Sequence, residues 1–183
     1  MTNRERAAQA PGKHGTLNSE KLKALLHLVP LPIEGGYFAE TYRSPDAVTP
    51  EALPGRYHGS RTMSTAIYYL LEAGSFSEMH RIASDEIFHF YLGDPVEMLQ
   101  LWPDGQGKQI VIGPDLEAGM LPQVVVPRGV WQGSRLVAGG KLALLGCTVS
   151  PGFEYADYER GIREKLVSHY PQARDLICAL TRG

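Results

Sequence analysis

"GSFSEMHRIASDEIFHFYLG", residues 74–93, places two histidines and three acids in a stretch otherwise built for β-strands. From Glu86 the residues alternate: Glu86, Phe88 and Phe90 on one face, Ile87, His89 and Tyr91 on the other. A strand wall holds such polar groups only if they are paired or used. His80 and Glu86 therefore become the first candidates for chemistry, and the segment predicts a barrel or sandwich wall.

The neighbouring segments extend that wall. "TMSTAIYYLL" (62–71) reads as a strand rich in β-formers, and "VEMLQLW" and "KQIVIG" flank the turn "PDGQG" as a hairpin. "QVVVP", "WQGSRLV" and "KLALLGCTV" give three more short strands, and "GGYFAETYR" alternates ahead of a proline-rich loop, 44–60. Seven to nine short strands are expected, bracketed by helices. The first should begin at Asn18 or Ser19 with Leu22, Leu25, Leu26 and Val29 as its apolar stripe, ended by Pro30 and Pro32. Near the other end, Asp157 is read as the cap of a helix carrying Ile162, Leu166 and Val167, and Pro171 as the start of a last one with Leu176, Ile177 and Leu180.

With 183 residues the chain is read as one domain, 17–183, preceded by a mobile N-terminal segment, 1–16, that lacks the apolar stretch of a signal peptide. The formal charge of −2 is scattered, which argues against a nucleic-acid partner, and no apolar run is long enough for a membrane span. Cys147 and Cys178 form neither a CxxC pair nor a zinc spacing. Both are read as reduced core cysteines, and the expected location is cytoplasmic.

The spacing Gly74, five residues, His80, one, Ile82, three, Glu86, six, Gly93 resembles the first cupin motif, with Ile82 in place of its second histidine. "PRGVWQ" resembles the second motif, with Pro127 and Gly129 in place and Gln132 where its histidine would stand; Leu121 and Leu136 replace its outer glycine and asparagine. "EGGYFAETYR", "FSEMHRIASDEIFHFYLGDPVE" and "VVPRGVWQGSRL" together resemble the small uncharacterised cupin family numbered five. The resemblance implies an all-β fold, a double-stranded β-helix or jelly-roll barrel with flanking N- and C-terminal helices. It also implies nearness to nucleotide-sugar epimerases, whose G-x-F-x-E strand Gly36, Phe38 and Glu40 echo, with Gly35 where those enzymes carry an arginine.

Three functions follow as expectations. The first is a small-molecule isomerase or epimerase acting on a sugar-like or nucleotide-sugar metabolite, with His80 as base and Glu86 or a tyrosine as acid. The second is a non-catalytic metabolite-binding protein. The third is a divalent-metal enzyme whose ligands would be His80, Glu86 and Gln132; Ile82 and the neutral amide of Gln132 weaken that set, so no cofactor is firmly implied. Glu40 and Tyr37 are expected at the barrel mouth with Tyr42 and Arg43, while Tyr68 and Phe88 are aromatic candidates for ligand contact. His89 faces outward by parity and would join the cavity only through a bulge. An open edge strand predicts a homodimer.

Overall fold

The computed structural model describes residues 17–182, so the expected segment 1–16 lies outside the described residues. The strands are β1 (Val29–Pro30), β2 (Tyr37–Arg43), β3 (Ala47–Val48), β4 (Arg61–Thr62), β5 (Thr65–Glu72), β6 (Phe76–Arg81) and β7 (Asp85–Gly93). They continue with β8 (Val96–Leu101), β9 (Gly107–Ile112), β10 (Gln123–Val126), β11 (Trp131–Leu136), β12 (Leu142–Ser150) and β13 (Glu159–Arg160). Helix α1 (Ser19–Leu26) precedes them, and α2 (Arg163–His169) and α3 (Arg174–Ala179) follow. A six-stranded sheet, β1-β2-β5-β12-β7-β10, faces a five-stranded one, β13-β6-β11-β8-β9. Their inner faces share a core that includes Tyr69, Leu71, Phe88, Met98, Val124, Leu145 and Cys147.

Both sheets are also covered outside. Leu22 and Leu28 pack on Leu70 and Leu144, so the N-terminal helix lies against the six-stranded sheet. Met79, Leu99 and Leu101 meet Leu166, Tyr170, Leu176 and Ile177 of the C-terminal helices. Each large side chain buried there stabilises the fold by about 1.5–3 kcal/mol. The Asn18 side chain accepts the Lys21 N–H at 2.9 Å and caps α1. Asn18→Ala is expected to cost about 1 kcal/mol in urea unfolding with an unchanged m-value.

Several local expectations change. The first helix stops at Leu26 with His27 in the left-handed region; Leu25 is exposed and Val29 belongs to β1, so neither joins the buried stripe. Asp157 does not cap α2, whose N-cap is Ile162; its carboxylate is held by Arg61 instead. Cys178 is exposed rather than in the core, whereas Cys147 is buried; both are free. Among the described residues, no helix is long and apolar enough to cross a membrane.

Candidate active site

Two elements of the five-stranded sheet and one of the six-stranded sheet meet inside the barrel. Gln132 on β11 is the direct register partner of His80 on β6. The pairing slips between Gln132 and Ser134, so that Ser77 and His80 both face the interior although they are three residues apart. Glu86 comes from β7 in the opposite sheet, paired there with Val126 and Val149. His80 and Glu86, read from the sequence as lying on successive strands and pointing into one hollow, belong to facing sheets and approach from opposite walls.

The hydrogen bonds fix the roles of these groups. His80 Nδ1 lies 2.7 Å from the Glu78 carbonyl, which can only accept, so Nδ1 carries the proton. The Gln132 amide nitrogen lies 3.3 Å from His80 Nε2 and donates to Glu86 Oε2. It therefore lies between the imidazole and the carboxylate. The Tyr158 ring stacks on His80 at 4.9 Å, and its hydroxyl donates to the Ile33 carbonyl.

Glu34, which the sequence reading did not single out, completes the cluster. One carboxylate oxygen accepts from Ser77 Oγ at 2.5 Å and the other lies 3.8 Å from His80 Nε2. The two glycines that follow make this placement feasible. A side chain at Gly35 would strike the Phe76 carbonyl at 2.3 Å, and Gly36 has a φ of 69° with the Leu70 carbonyl 2.8 Å from where a Cβ would be. The arginine of the epimerase-like pattern has no room at position 35 in this backbone.

A cavity of about 100 Å³ opens beside this network. Glu34, Glu86 and Cys147 bring polar atoms to it, Ile33, Ile67 and Val149 supply apolar wall, and Glu40 and Arg43 also line it. Arg43 is bidentate to Glu40, at 3.0 and 2.8 Å, and reaches Glu154 at 2.8 Å. Residues 151–158 form a strap that contributes Phe153 and Tyr155 to the lining.

Burial raises the Glu86 carboxyl from its ordinary 4.5 to about 7; His80 opposes the shift, and the Glu34 charge adds to it. Burial also pushes the Cys147 thiol up, with the charges of Glu86 and Glu34 reinforcing it. The hydroxyls of Tyr69 and Tyr158 are raised by burial first and by Glu34 second.

The sequence candidates divide by position. His80, Glu86 and Gln132 are together, and Glu40 lines the cavity with Arg43. Phe88 is inside the barrel but belongs to the packed core cluster and does not line the cavity. Two expectations are corrected, because Tyr37 and Tyr68 alternate onto the outer face, where His89 also lies as its parity predicts. Tyr37 lies under Lys23 of α1, Tyr68 packs edge-on against Tyr91, and His89 contacts Thr148 and Gln123 and stacks on Tyr91. No bulge turns His89 inward, since it stays in register with Gln123 and Gly146.

A divalent metal does not fit these residues. The amide N–H groups of Gln132 point at both would-be ligands, Ile82 is apolar and lies past the end of β6, and no group of three or more His, Cys, Asp or Glu side chains among the described residues is arranged to hold an ion.

Residues 20–160 match the family described as Cupin superfamily (DUF985). The chain belongs to this cupin family. It is 34% identical over 134 residues to the uncharacterized protein YML079W of Saccharomyces cerevisiae, covering 68% of this chain and 66% of the yeast protein. The crystal structure of protein SO0799 from Shewanella oneidensis is 33% identical with a TM-score of 0.81, covering 91% of this cupin and 99% of that chain. A hypothetical protein from Leishmania major is 32% identical with the same TM-score, covering 91% and 100%. A cupin 2 conserved barrel domain protein from Rhodopseudomonas palustris, at 13% identity and a TM-score of 0.53 over 82% and 81% of the two chains, shares the fold alone.

Proposed function

We propose that this cupin binds a small polar carbonyl compound in its barrel and catalyses proton transfer on it, as an isomerase or epimerase does. The observation that carries the reading is the Glu86 carboxyl on the cavity wall, held by a Gln132 amide that also grips His80. Glu86, rather than His80, is the proton-transfer group, because the cavity is lined by the carboxyl and not by the imidazole. His80 and Gln132 are positioning residues. Ionised Glu86 takes a proton from the carbon beside the carbonyl; the C–H electron pair forms the C=C bond of an enolate as the carbonyl π pair moves onto oxygen. Glu86 returns the proton to the same carbon, or, where that carbon bears a hydroxyl whose proton passes to the enolate oxygen, to the former carbonyl carbon. A carboxyl near 7 is suited to both halves of that exchange at neutral pH.

The nucleotide-linked form of the substrate loses support. Arg43 is the one arginine or lysine among the cavity-lining residues, and Glu40 and Glu154 already hold it. The direct test incubates the protein in D2O with dihydroxyacetone, hydroxyacetone, glyceraldehyde and aminoacetone, and reads deuterium in the recovered compounds by mass spectrometry. At least one should exchange faster than in buffer, and Glu86→Gln should slow that exchange by about 10²–10⁴-fold. Buffer-rate exchange of all four, or an unaltered rate in the variant, overturns the proposal.

A further inference from the structure

The cavity's charges and dimensions narrow what it can hold; this step rests on reading the cavity as the ligand site. Three carboxylates line it, those of Glu34, Glu40 and Glu86. The cation among its lining residues, Arg43, already meets Glu40 through two nitrogens and Glu154 through the third. An entering carboxylate or phosphate would have to displace one of these glutamates and would still face Glu34 and Glu86 across a buried space, where like charges repel strongly. A cation meets the opposite situation: it relieves the repulsion that Glu34 already exerts on Glu86.

The walls favour the same class. Phe38, Phe153 and Tyr155 line the cavity, with the last two rings edge to face at 5.4 Å, and an aromatic face attracts an organic cation. Ile33, Ile67 and Val149 offer a short apolar surface for a hydrocarbon stem. A cavity of about 100 Å³ is smaller than the roughly 150 Å³ that admits a benzene ring, so only a handful of non-hydrogen atoms is enclosed.

We infer that the barrel cavity takes the protonated amino group of a small molecule, with the ammonium against the Glu34 and Glu86 carboxylates and its stem on the apolar wall. A matched series of n-propylamine, n-propanol and propionate tests this by calorimetry on the full chain. The amine should bind about tenfold or more tighter than the alcohol, as expected for hydrogen bonds to charged groups, and propionate more weakly than either. Near neutral pH, amine binding should release a proton from Glu86, seen as a heat that changes with the ionisation enthalpy of the buffer. Glu86→Gln should weaken the amine by about tenfold and the alcohol by clearly less. Equal affinity for all three, tighter binding of propionate, or no binding of the amine overturns the inference. The outcome separates from the proton-transfer reading: an amine that binds while no carbonyl compound exchanges deuterium sinks only the chemistry, and exchange without amine preference sinks only the ligand class.

Discussion

Glu86→Gln is expected to be more stable than the parent chain by about 3 kcal/mol at about pH 8, and to match it at about pH 4. Burial holds the folded carboxyl near 7 against an ordinary value of 4.5. Below 4.5 the carboxyl is neutral in both folded and unfolded chains, and no penalty applies. As pH rises from 4.5 toward 7 the unfolded chain releases its proton while the folded chain keeps it, so the parent loses stability at about 1.4 kcal/mol per pH unit. Above 7 both states are ionised and the loss stays at its full value. Gln removes the titration while keeping the shape. Its carbonyl can still accept from Gln132, and its amide can face the sulfur of Cys147, a weak acceptor whose thiol at present donates to Glu86. Urea unfolding of both proteins across this range measures the difference directly. A pH-independent gap would mean that Glu86 carries no burial penalty and is a solvated carboxylate.

The position of Glu86 was legible because period-two alternation fixes a face wherever one side of a strand is buried. The same rule left Tyr37 and Tyr68 undecided between inside and outside. Helix α1 covers the outer face of their sheet, so Leu70 and Leu144 are as buried outside as Tyr69 and Leu145 are within. A sheet apolar on both faces carries no clear inside-or-outside signal in its sequence. Glu34 was missed for another reason. It sits on an irregular turn between β1 and β2, where no periodicity applies, and only the glycine pair after it hinted at a tight backbone approach. The strap has even less local signature. It is defined by partners such as Arg61, which is 96 residues before Asp157.

That partnership carries the second large effect: Asp157→Ala should destabilise the protein by about 3 kcal/mol, far more than Glu154→Ala. Arg61 grips Asp157 through two nitrogens, at 2.7 and 2.5 Å, and both side chains are only 4% exposed. The remaining guanidinium nitrogen donates to the Gly59 and Ser60 carbonyls, so removing Asp157 leaves a fixed, buried cation without its counter-charge. The Arg43–Glu154 pair at the cavity mouth is 38% and 42% exposed, and solvent limits such a pair to about 0–1 kcal/mol. In a double-mutant cycle, Arg61→Ala with Asp157→Ala should cost less than the sum of the single changes, because the double variant strands no charge. The strap should also open more readily on its own. The Phe153 N–H, bonded to Thr65 Oγ1 at 3.1 Å, should exchange faster in Asp157→Ala than in the parent by local opening, while β12 amides lose protection only by as much as global stability falls. A cost below about 1 kcal/mol, in the range of an exposed pair, would show that the strap over the cavity is held by its apolar contacts and not by this ion pair.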